Sequence, residues 1–270
     1  MAVASPTIPD RTMDVPGGSL AYWDTGGPGP AVVLMHAATH CARSWGHQRE
    51  AFADRGYRVV GYSRRGHRGS SAITKEDPGV AADDLDALAS GLGIERFALV
   101  AIAAGGFFAT DYALAHPDRV TGLAVGSSMM GIGEEGFLGR VFGLHPPGFQ
   151  ELPAEFRELG VSYRADCPEG VDLWRALHEE ALSGDGFVLQ GLSEEITWER
   201  LEALRVPALL LGCGADLIIP APVTRDIAAR IPGASFVLLS DSGHTPTWET
   251  PAAFNDAVLG FLDATGAPRA

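Results

Sequence analysis

The chain has 270 residues, 46% of them hydrophobic, which is enough for one folded domain with an insertion and excludes a largely disordered protein. Its 20 Lys and Arg residues against 34 Asp and Glu residues give a formal net charge of −14, which disfavours binding to nucleic acids and anionic membranes. We therefore expect an enzyme or binding protein for a small molecule, with no nucleic acid or membrane as partner. A monomer and a homodimer both fit this sequence.

The N-terminus and the cysteines predict a cytoplasmic location. The first residues, "MAVASPTIPDRTMDV", lack the basic start and apolar stretch of a signal peptide, and no apolar run approaches the roughly 20 residues of a membrane helix. Cys41, Cys167 and Cys213 are odd in number and far apart, which favours reduced thiols. The eight histidines show no metal-ligand spacing, so we expect neither a metal nor a cofactor.

Six short apolar runs alternate with helical patterns along the chain. They predict strands at residues 31–36, 57–63, 97–102, 120–126, 207–213 and 235–240. Continuous apolar strands separated by helices are typical of a parallel sheet that is covered on both faces. The early stretch "GSLAYWDTGG" adds the arm of an antiparallel hairpin. The sequence thus predicts an α/β fold with a doubly wound, mostly parallel sheet.

The alternation stops between residues 129 and 204, where helical and loop patterns occur without a strand-like run. We interpret residues 129–204 as a helical cap over the carboxyl edge of the sheet, and residues 1–128 and 205–270 as the core domain. Aromatic residues of this segment either line a pocket or form the segment's own core. Trp174 is the candidate substrate-binding residue in the set, which comprises Phe137, Phe142, Trp174, Phe187 and Trp198.

The stretch "LVAIAAGGFFAT", residues 99–110, predicts a strand, a tight turn and a helix. Ala101, Ala103 and Gly105 occupy the positions of glycine, nucleophile and glycine in a G-x-S-x-G elbow. Small residues on both sides of the apex are needed because such a turn brings the backbone close to neighbouring strands. The elbow is therefore complete in shape, but its apex, Ala103, lacks the attacking hydroxyl.

Further motifs make the chain resemble the α/β-hydrolase fold family from about residue 20 to residue 262. "HAATH" is similar to the family's HG turn, and "YSRRGHRGS" matches its D-x-R-G-x-G-x-S loop with Ser63 in place of the acid. "GCGADLIIP" matches the G-x-x-D-x-x-x-P stretch, and "GHTPTWETP" matches the terminal G-H-x-x-x-x-E-x-P. The order of nucleophile, acid and histidine is the one that this fold uses.

The resemblance implies a role for each matched position. The backbone amides of Ala38 and Ala104 would form the oxyanion hole, and Asp216 and His244 would complete a catalytic triad around position 103. His244 would take a proton from the nucleophile and later deliver it to the leaving group, while Asp216 would fix the histidine tautomer.

Two interpretations of Ala103 are open. In the first, alanine replaces a serine in an otherwise native site, and the site then traps its ligand because loss of a triad nucleophile lowers turnover on the order of 10⁶-fold. In the second, alanine is natural, and the chain binds a ligand or catalyses a lyase or cyclase reaction with His244 as acid or base. We favour the first, since Asp216 and His244 keep their motif context. An apex aspartate, as in dehalogenases and epoxide hydrolases, is also compatible with the pattern.

Three more residues are predicted to bind the substrate together with Trp174. His40 follows Thr39 in the oxyanion loop, where it either hydrogen-bonds the substrate or faces solvent. Ser127 closes the strand after the elbow helix and faces the predicted pocket. Met130 forms either an adaptable pocket wall or plain core.

The expected activity is cofactor-free hydrolysis of a small apolar or aromatic carboxylic ester or lactone through an acyl-enzyme. A carbon–carbon bond hydrolase for dienol-type ring-cleavage products is the rival within the fold, although "HAATH" lacks the glycine and proline usual in that loop. A ligand-binding protein without turnover is the rival from a different class.

Overall fold

The structure is a computed structural model that describes residues 6–182 and 188–265. Eight strands form one sheet, and the six predicted strands are present within one residue of their predicted bounds. The strands are β1 Arg11–Val15, β2 Gly18–Asp24, β3 Ala31–Met35, β4 Arg58–Tyr62, β5 Phe97–Ile102, β6 Val120–Gly126, β7 Ala208–Cys213 and β8 Ser235–Leu239.

The strand order across the sheet is β1-β2-β4-β3-β5-β6-β7-β8. All neighbouring pairs from β4 to β8 are parallel, while β1 and β2 form an antiparallel hairpin and β2 joins β4 antiparallel. The register pairs Met35 with Ala101 and Ala101 with Val125, so β3, β5 and β6 end side by side. The predicted doubly wound, mostly parallel α/β sheet is confirmed.

Helices connect the strands. Their bounds are α1 Gly46–Asp54, α2 Ala81–Gly91, α3 Gly105–Ala115, α4 Glu135–Phe142, α5 Ala154–Glu158, α6 Val161–Asp166, α7 Pro168–Glu179, α8 Trp198–Glu202, α9 Ala221–Arg230, α10 Pro246–Glu249 and α11 Pro251–Ala264. No helix of the described residues is long and apolar enough to cross a lipid bilayer.

Apolar side chains of the strands alternate between two cores. In β3, Val33 and Met35 pack with residues of α2 and α3, whereas Val32 and Leu34 pack with residues of α1 and α11 on the other face. Burial of one such side chain contributes about 1.5–3 kcal/mol. Because both faces are covered by apolar contacts, polar chemistry is confined to the carboxyl ends of the strands, where ligands bind in open α/β sheets.

The helical segment, residues 129–204, lies between β6 and β7 and contains α4 to α8 and, among its described residues, no strand. Part of it forms a third, small core in which Trp174 is fully buried with Leu159, Tyr163 and Leu177. Trp248 of α10 belongs to the same cluster, so this core joins the helical segment to the sheet domain. The division into core domain and cap stays a prediction.

Candidate active site

Ala103 lies at the apex of the turn between β5 and α3. Its φ of +49° is left-handed, a conformation that costs a residue with a Cβ about 1–2 kcal/mol. Its N–H donates to the carbonyl of Gly126 at 3.0 Å, and the hydroxyl of Ser128 donates to its carbonyl at 2.6 Å. Strain of this kind persists where the surroundings impose it, and it is concentrated at functional sites. β6 and the residues after it therefore hold the apex in place.

Two glycines let the elbow approach its neighbours. A Cβ at Gly105 would lie 2.2 Å from the carbonyl oxygen of Met35, and a Cβ at Gly106 would lie 2.5 Å from Oγ of Ser128. At Gly105 the neighbour is backbone and cannot move away, so this position requires glycine, whereas a Cβ at Gly106 would force the side chain of Ser128 to shift. The close approach places the elbow directly beside the end of β3 and the loop that follows it.

Ala38 and Ala104, the predicted oxyanion-hole residues, line one cavity together with Ala103 and His244. Ala104 immediately precedes α3, where the first N–H groups of a helix lack an intrahelical acceptor. Within residues 6–182 and 188–265, neither the N–H of Ala38 nor that of Ala104 donates one of the loop and turn hydrogen bonds. Both amides are therefore available to an oxygen atom of a ligand.

Two basic side chains hold the loop that carries Ala38. Arg64 donates to the carbonyl of His36 and lies 4.8 Å above the ring of Phe108. Burial lowers the pKa of Arg64 to about 10, so it remains charged at neutral pH. Burial and the charge of Arg64 lower the pKa of His67 to about 4, and its neutral ring donates from Nε2 to the carbonyl of Ala38 at 3.0 Å. The motif "YSRRGHRGS" thus positions the oxyanion loop.

His244 and Asp216 form a buried pair at the same edge of the sheet. Nδ1 of His244 lies 3.0 Å and 2.9 Å from the two carboxylate oxygens of Asp216. Oδ1 of Asp216 also accepts the N–H groups of Ile218 at 2.8 Å and Ile219 at 2.9 Å. These bonds fix the carboxylate and leave Nε2 as the ring nitrogen that can exchange a proton with a ligand.

The pKa of His244 is raised above its ordinary value. Burial favours the neutral ring, but the charge of Asp216 and its hydrogen bond outweigh burial, with smaller contributions from the carboxylates of Glu158 and Glu249. The ring is therefore suited to take up a proton and to be stabilised as an imidazolium.

Glu249, part of the terminal motif, connects the histidine loop to the helical segment. Its Oε2 accepts the N–H of Gly160 at 2.7 Å and that of Gly243 at 2.9 Å, and its Oε1 accepts the N–H of Thr245 at 2.9 Å. Burial raises the pKa of Glu249 to about 7. Its structural function is to hold the backbone on both sides of His244.

The cavity has a volume of about 420 Å³ and is bounded by two walls. The core wall comes from strand ends and the loops that follow them, and it includes Ala38, Thr39, Ala103, Ala104, Ser127 and His244. The helical wall comes from the helical segment, and it includes Phe142, His145, Phe149, Gln150, Arg157 and Glu158. Of the predicted catalytic and oxyanion positions, Ala38, Ala103, Ala104 and His244 lie in the core wall, whereas Asp216 contacts His244 and does not line the cavity.

Of the four predicted substrate-binding residues, the cavity lining includes Ser127 alone. The hydroxyl of Ser127 lies 3.2 Å from the sulfur of Cys213 and donates to it. Met130 is fully buried in a core of the sheet domain, and Trp174 stacks on His178 at 5.2 Å in the small core of the helical segment. Apolar neighbours surround both residues. Met130 and Trp174 are therefore core residues, which is the alternative to lining the pocket that the sequence left open.

His40 is buried behind the cavity and does not line it. Its ring packs 5.1 Å from that of Trp174, while Thr39, its neighbour in sequence, faces the cavity. Neither the predicted substrate contact nor the solvent-facing alternative describes His40. Thr39 faces the cavity and His40 does not, because the loop turns at these residues and their side chains point in different directions.

The other aromatic candidates differ in their positions. Phe142 lines the cavity, whereas Phe137 and Trp198 pack against each other at 5.1 Å without lining it. Phe187 lies outside the described residues.

Glu158 and Phe149 line the cavity but were not predicted from the sequence. Glu158 occurs in "PAEFRELG", where interspersed charges are typical of an exposed helix, and no local signal marks it as buried.

The arrangement provides two amide donors for a carbonyl oxygen and an imidazole for proton transfer, but no side-chain oxygen at the apex. In the part of the chain that the structure describes, no group of three or more His, Cys, Asp or Glu side chains is placed to hold a metal ion. The amides and the imidazole offer groups for acid–base catalysis and for stabilisation of an oxyanion.

The strand order, the elbow after β5 and the Asp–His pair at the carboxyl edge define a protein of the α/β-hydrolase fold. The chain belongs to the alpha/beta hydrolase family, whose model matches residues 32–257. Members of this family are enzymes that hydrolyse small-molecule substrates.

Individual relatives span most of the chain. RutD of Caulobacter sp. (strain K31), a protein named for carbamate hydrolysis, is 31% identical over 90% of this chain and 95% of its own length. The 2-hydroxy-6-oxononadienedioate/2-hydroxy-6-oxononatrienedioate hydrolase of Paraburkholderia phymatum is 28% identical, with 89% and 90% covered. The solved structure of a thermophilic esterase from Thermogutta terrifontis has a TM-score of 0.79 and 27% identity, with 94% and 99% covered.

Proposed function

We propose that the cavity is a hydrolase site for a small apolar or aromatic carboxylic ester or lactone, and that the attacking hydroxyl of this site is absent at Ala103. The hydrogen bond between His244 and Asp216, beside the left-handed apex at Ala103, carries the proposal. A histidine oriented by a carboxylate activates a hydroxyl, and a strained strand-to-helix turn presents one. Similarity to an esterase supports the ester as substrate.

The mechanism follows from the core wall. A hydroxyl at position 103 would lose its proton to His244 and attack the ester carbonyl, while the amides of Ala38 and Ala104 stabilise the oxyanion. The alcohol then leaves with the proton from His244. Water activated by the same imidazole cleaves the acyl-enzyme and regenerates the site.

With alanine at the apex, the chain binds the substrate but forms no acyl-enzyme. We favour replacement of a serine because the strain at Ala103 and the orientation of Asp216 both suit an attacking group at the apex. The helical segment acts as a cap, and its Phe142 and Phe149 contact the apolar part of the substrate. The proposed enzyme is cytoplasmic and uses neither metal nor cofactor.

Ala103→Ser tests the proposal. We expect this variant to hydrolyse p-nitrophenyl butyrate or a phenyl-substituted lactone and to be labelled at position 103 by a fluorophosphonate. The gain over the unaltered chain should approach the order of 10⁶-fold that a triad nucleophile provides. Ala103→Ser combined with His244→Ala is the control and should remain inactive. A folded Ala103→Ser variant that neither hydrolyses nor labels would overturn the proposal.

Two other bond types have support from relatives. The 31% identity to a protein named for carbamate hydrolysis supports a carbamate, and the 28% identity to a dienedioate hydrolase supports a carbon–carbon bond. Ala103→Ser should therefore also be assayed with an aryl carbamate and with a dienol-type ring-cleavage product, with products identified by mass. Ala103→Asp tests an apex aspartate on an alkyl halide and an epoxide. Tight ligand binding with no turnover by either variant would favour the binding-protein alternative.

A further inference from the structure

Glu158 places a second proton-carrying group in the cavity, one that the proposed hydrolysis does not use. It ends α5, belongs to the helical wall and is only 4% exposed. Burial of a carboxylate is unfavourable unless its charge is compensated. Among the ion pairs of the described residues, none involves Glu158, although many surface carboxylates of the chain are paired with arginine. A buried carboxylate in such a position is a candidate for function.

Glu158 contacts both loops that carry the predicted site. Its backbone carbonyl accepts the N–H of His244 at 2.7 Å, and its Oε2 accepts the hydroxyl of Thr39 at 3.1 Å. Thr39 follows Ala38, whose amide is one of the two carbonyl-binding donors. Within the described chain, Oε1 of Glu158 accepts no hydrogen bond from protein, which leaves this oxygen for a ligand.

A hydrogen-bonded chain behind the cavity orients the carboxylate. Nδ1 of His40 lies 3.3 Å from the hydroxyl oxygen of Thr39. Because that hydroxyl donates to Glu158, its oxygen accepts from His40. Burial and the neighbouring histidines, His178 first, lower the pKa of His40 to about 3, so the ring is neutral with one N–H to donate. His40 is thus a positioning residue, which acts on the cavity through Thr39.

We propose that the chain, with Ala103 as it stands, transfers a proton between carbon atoms of a small unsaturated ketone, with Glu158 and His244 as the two proton-carrying residues. The ketone oxygen accepts hydrogen bonds from the amides of Ala38 and Ala104. No residue at position 103 can add to the carbonyl carbon, because the apex has only a methyl group. This activity does not rest on the proposed hydrolysis, which needs a hydroxyl that the chain lacks.

The steps conserve atoms and electrons. Oε1 of Glu158 takes the proton from the carbon next to the carbonyl, so a C–H bond breaks, an O–H bond forms and the electron pair enters a dienolate whose oxygen the two amides stabilise. Protonated His244 then delivers the proton on Nε2 to the terminal carbon of the dienolate, which gives the conjugated ketone. Glu158 afterwards loses its proton to water and His244 regains one, so that no oxidant, reductant or water molecule is consumed.

The unaltered 270-residue chain tests this inference with cyclohex-3-enone as probe. We expect saturable conversion to cyclohex-2-enone, followed by absorbance, and in D₂O the incorporation of one deuterium at C4, the terminal carbon of the dienolate, counted by mass spectrometry and located by NMR. Glu158→Gln and His244→Ala should each lower the rate about 100-fold, the lower end of general acid–base contributions. Thr39→Val should lower it less, because the carboxylate remains but loses one hydrogen bond. Glu151→Gln, an exposed glutamate of the same segment, is the matched control and should leave the rate unchanged.

The variants separate chemistry from folding. Glu158→Gln keeps the backbone carbonyl that binds His244, and its thermal unfolding should stay close to that of the unaltered chain. Glu158→Asp keeps a carboxylate one methylene shorter and should retain part of the rate that Glu158→Gln loses. Absence of a saturable rate in the unaltered chain, an unchanged rate in folded Glu158→Gln, or an equal loss in Glu151→Gln would overturn the inference. Hydrolysis by Ala103→Ser without proton transfer by the unaltered chain would overturn this inference and leave the hydrolase proposal intact.

Discussion

The core wall and the helical wall enclose the same cavity but are built by different means. In the core wall, backbone geometry at strand ends supplies the reactive features: the left-handed turn at Ala103, the amides of Ala38 and Ala104, and the fixed loop of His244. In the helical wall, the lining consists of side chains such as Phe149 and Glu158, whose positions depend on how short helices pack. In the hydrolysis that we propose, the core wall would supply the reacting groups and the helical wall the contacts with the substrate, whereas the proposed proton transfer would draw on both walls through His244 and Glu158.

The largest expected effect is on rate, in the core wall. In Ala103→Ser, the additional change Asp216→Asn should lower kcat about 10⁴-fold and KM little, because the histidine then takes the wrong tautomer while the binding surface is kept. Steady-state kinetics with p-nitrophenyl butyrate measures both constants. Asp256→Asn, an exposed change on α11, is the control. If the loss of kcat/KM came mainly from a higher KM, the prediction that the core wall sets the rate would be wrong.

The next largest effect is on stability. It can be measured by replacing one glycine of each region with alanine. Gly105→Ala should lower the free energy of unfolding by at least about 1–3 kcal/mol, because its Cβ would meet the carbonyl of Met35 at 2.2 Å. Gly136→Ala, in α4 of the helical segment, has no atom within 4 Å of the new Cβ and should stabilise by about 0.5–1 kcal/mol. Urea denaturation of both variants measures the difference. Equal effects at the two sites would contradict the close approach at the elbow.

A smaller effect on binding should come from the helical wall. In Ala103→Ser, Phe149→Ala should raise KM for an aromatic ester about tenfold, equivalent to about 1.4 kcal/mol, with kcat nearly unchanged. Trp174→Phe, in the small core of the same segment, should lower the melting temperature and leave KM unchanged, since Trp174 does not line the cavity. The two variants together separate packing of the segment from contact with substrate. An increase in KM in Trp174→Phe would show that Trp174 contributes to substrate binding after all.

The smallest effect concerns pH and links the two walls. Since the pKa of His244 is raised, the ring keeps its proton to higher pH, and the activity of Ala103→Ser should fall below an apparent pKa above 6.5. Glu158→Gln in that background removes one negative charge that raises this pKa, so the acid limb should move to lower pH by a fraction of a unit. The pH dependence of kcat/KM measures the shift. An acid limb that does not move would show that Glu158 lies too far from the imidazole to influence it.

The sheet and the core wall could be predicted because their signals are local. Each strand is a continuous apolar run, and Ala103, Asp216 and His244 each follow a strand within a short motif of fixed spacing. Parallel strands bring such positions to one edge whatever the detailed packing. This is why the predicted strand bounds agree with the structure to one residue.

The helical wall could not be predicted in the same way. Glu158 is buried because residues 158–160 dock on the loop of His244, a contact between positions about 85 residues apart that no local pattern encodes. Trp174 and Met130 have the composition of pocket residues, yet apolar neighbours enclose both. The direction of a side chain in a short helix depends on its tertiary partners more than on its own periodicity.

The three hydrogen bonds of Glu249 also constrain how a ligand reaches the cavity. Lifting Gly160 from the histidine loop would break a buried bond to a carboxylate, which costs about 1.5–3 kcal/mol. At the other end of the helical segment, Arg140 pairs with Asp226 at 2.7 Å near the surface, and Nε2 of His145 lies 3.1 Å from the carbonyl oxygen of Ile218. We therefore expect substrate and product to pass between α4 and the sheet edge more readily than past Gly160, because an exposed ion pair contributes little to stability and a buried bond to a carboxylate contributes more.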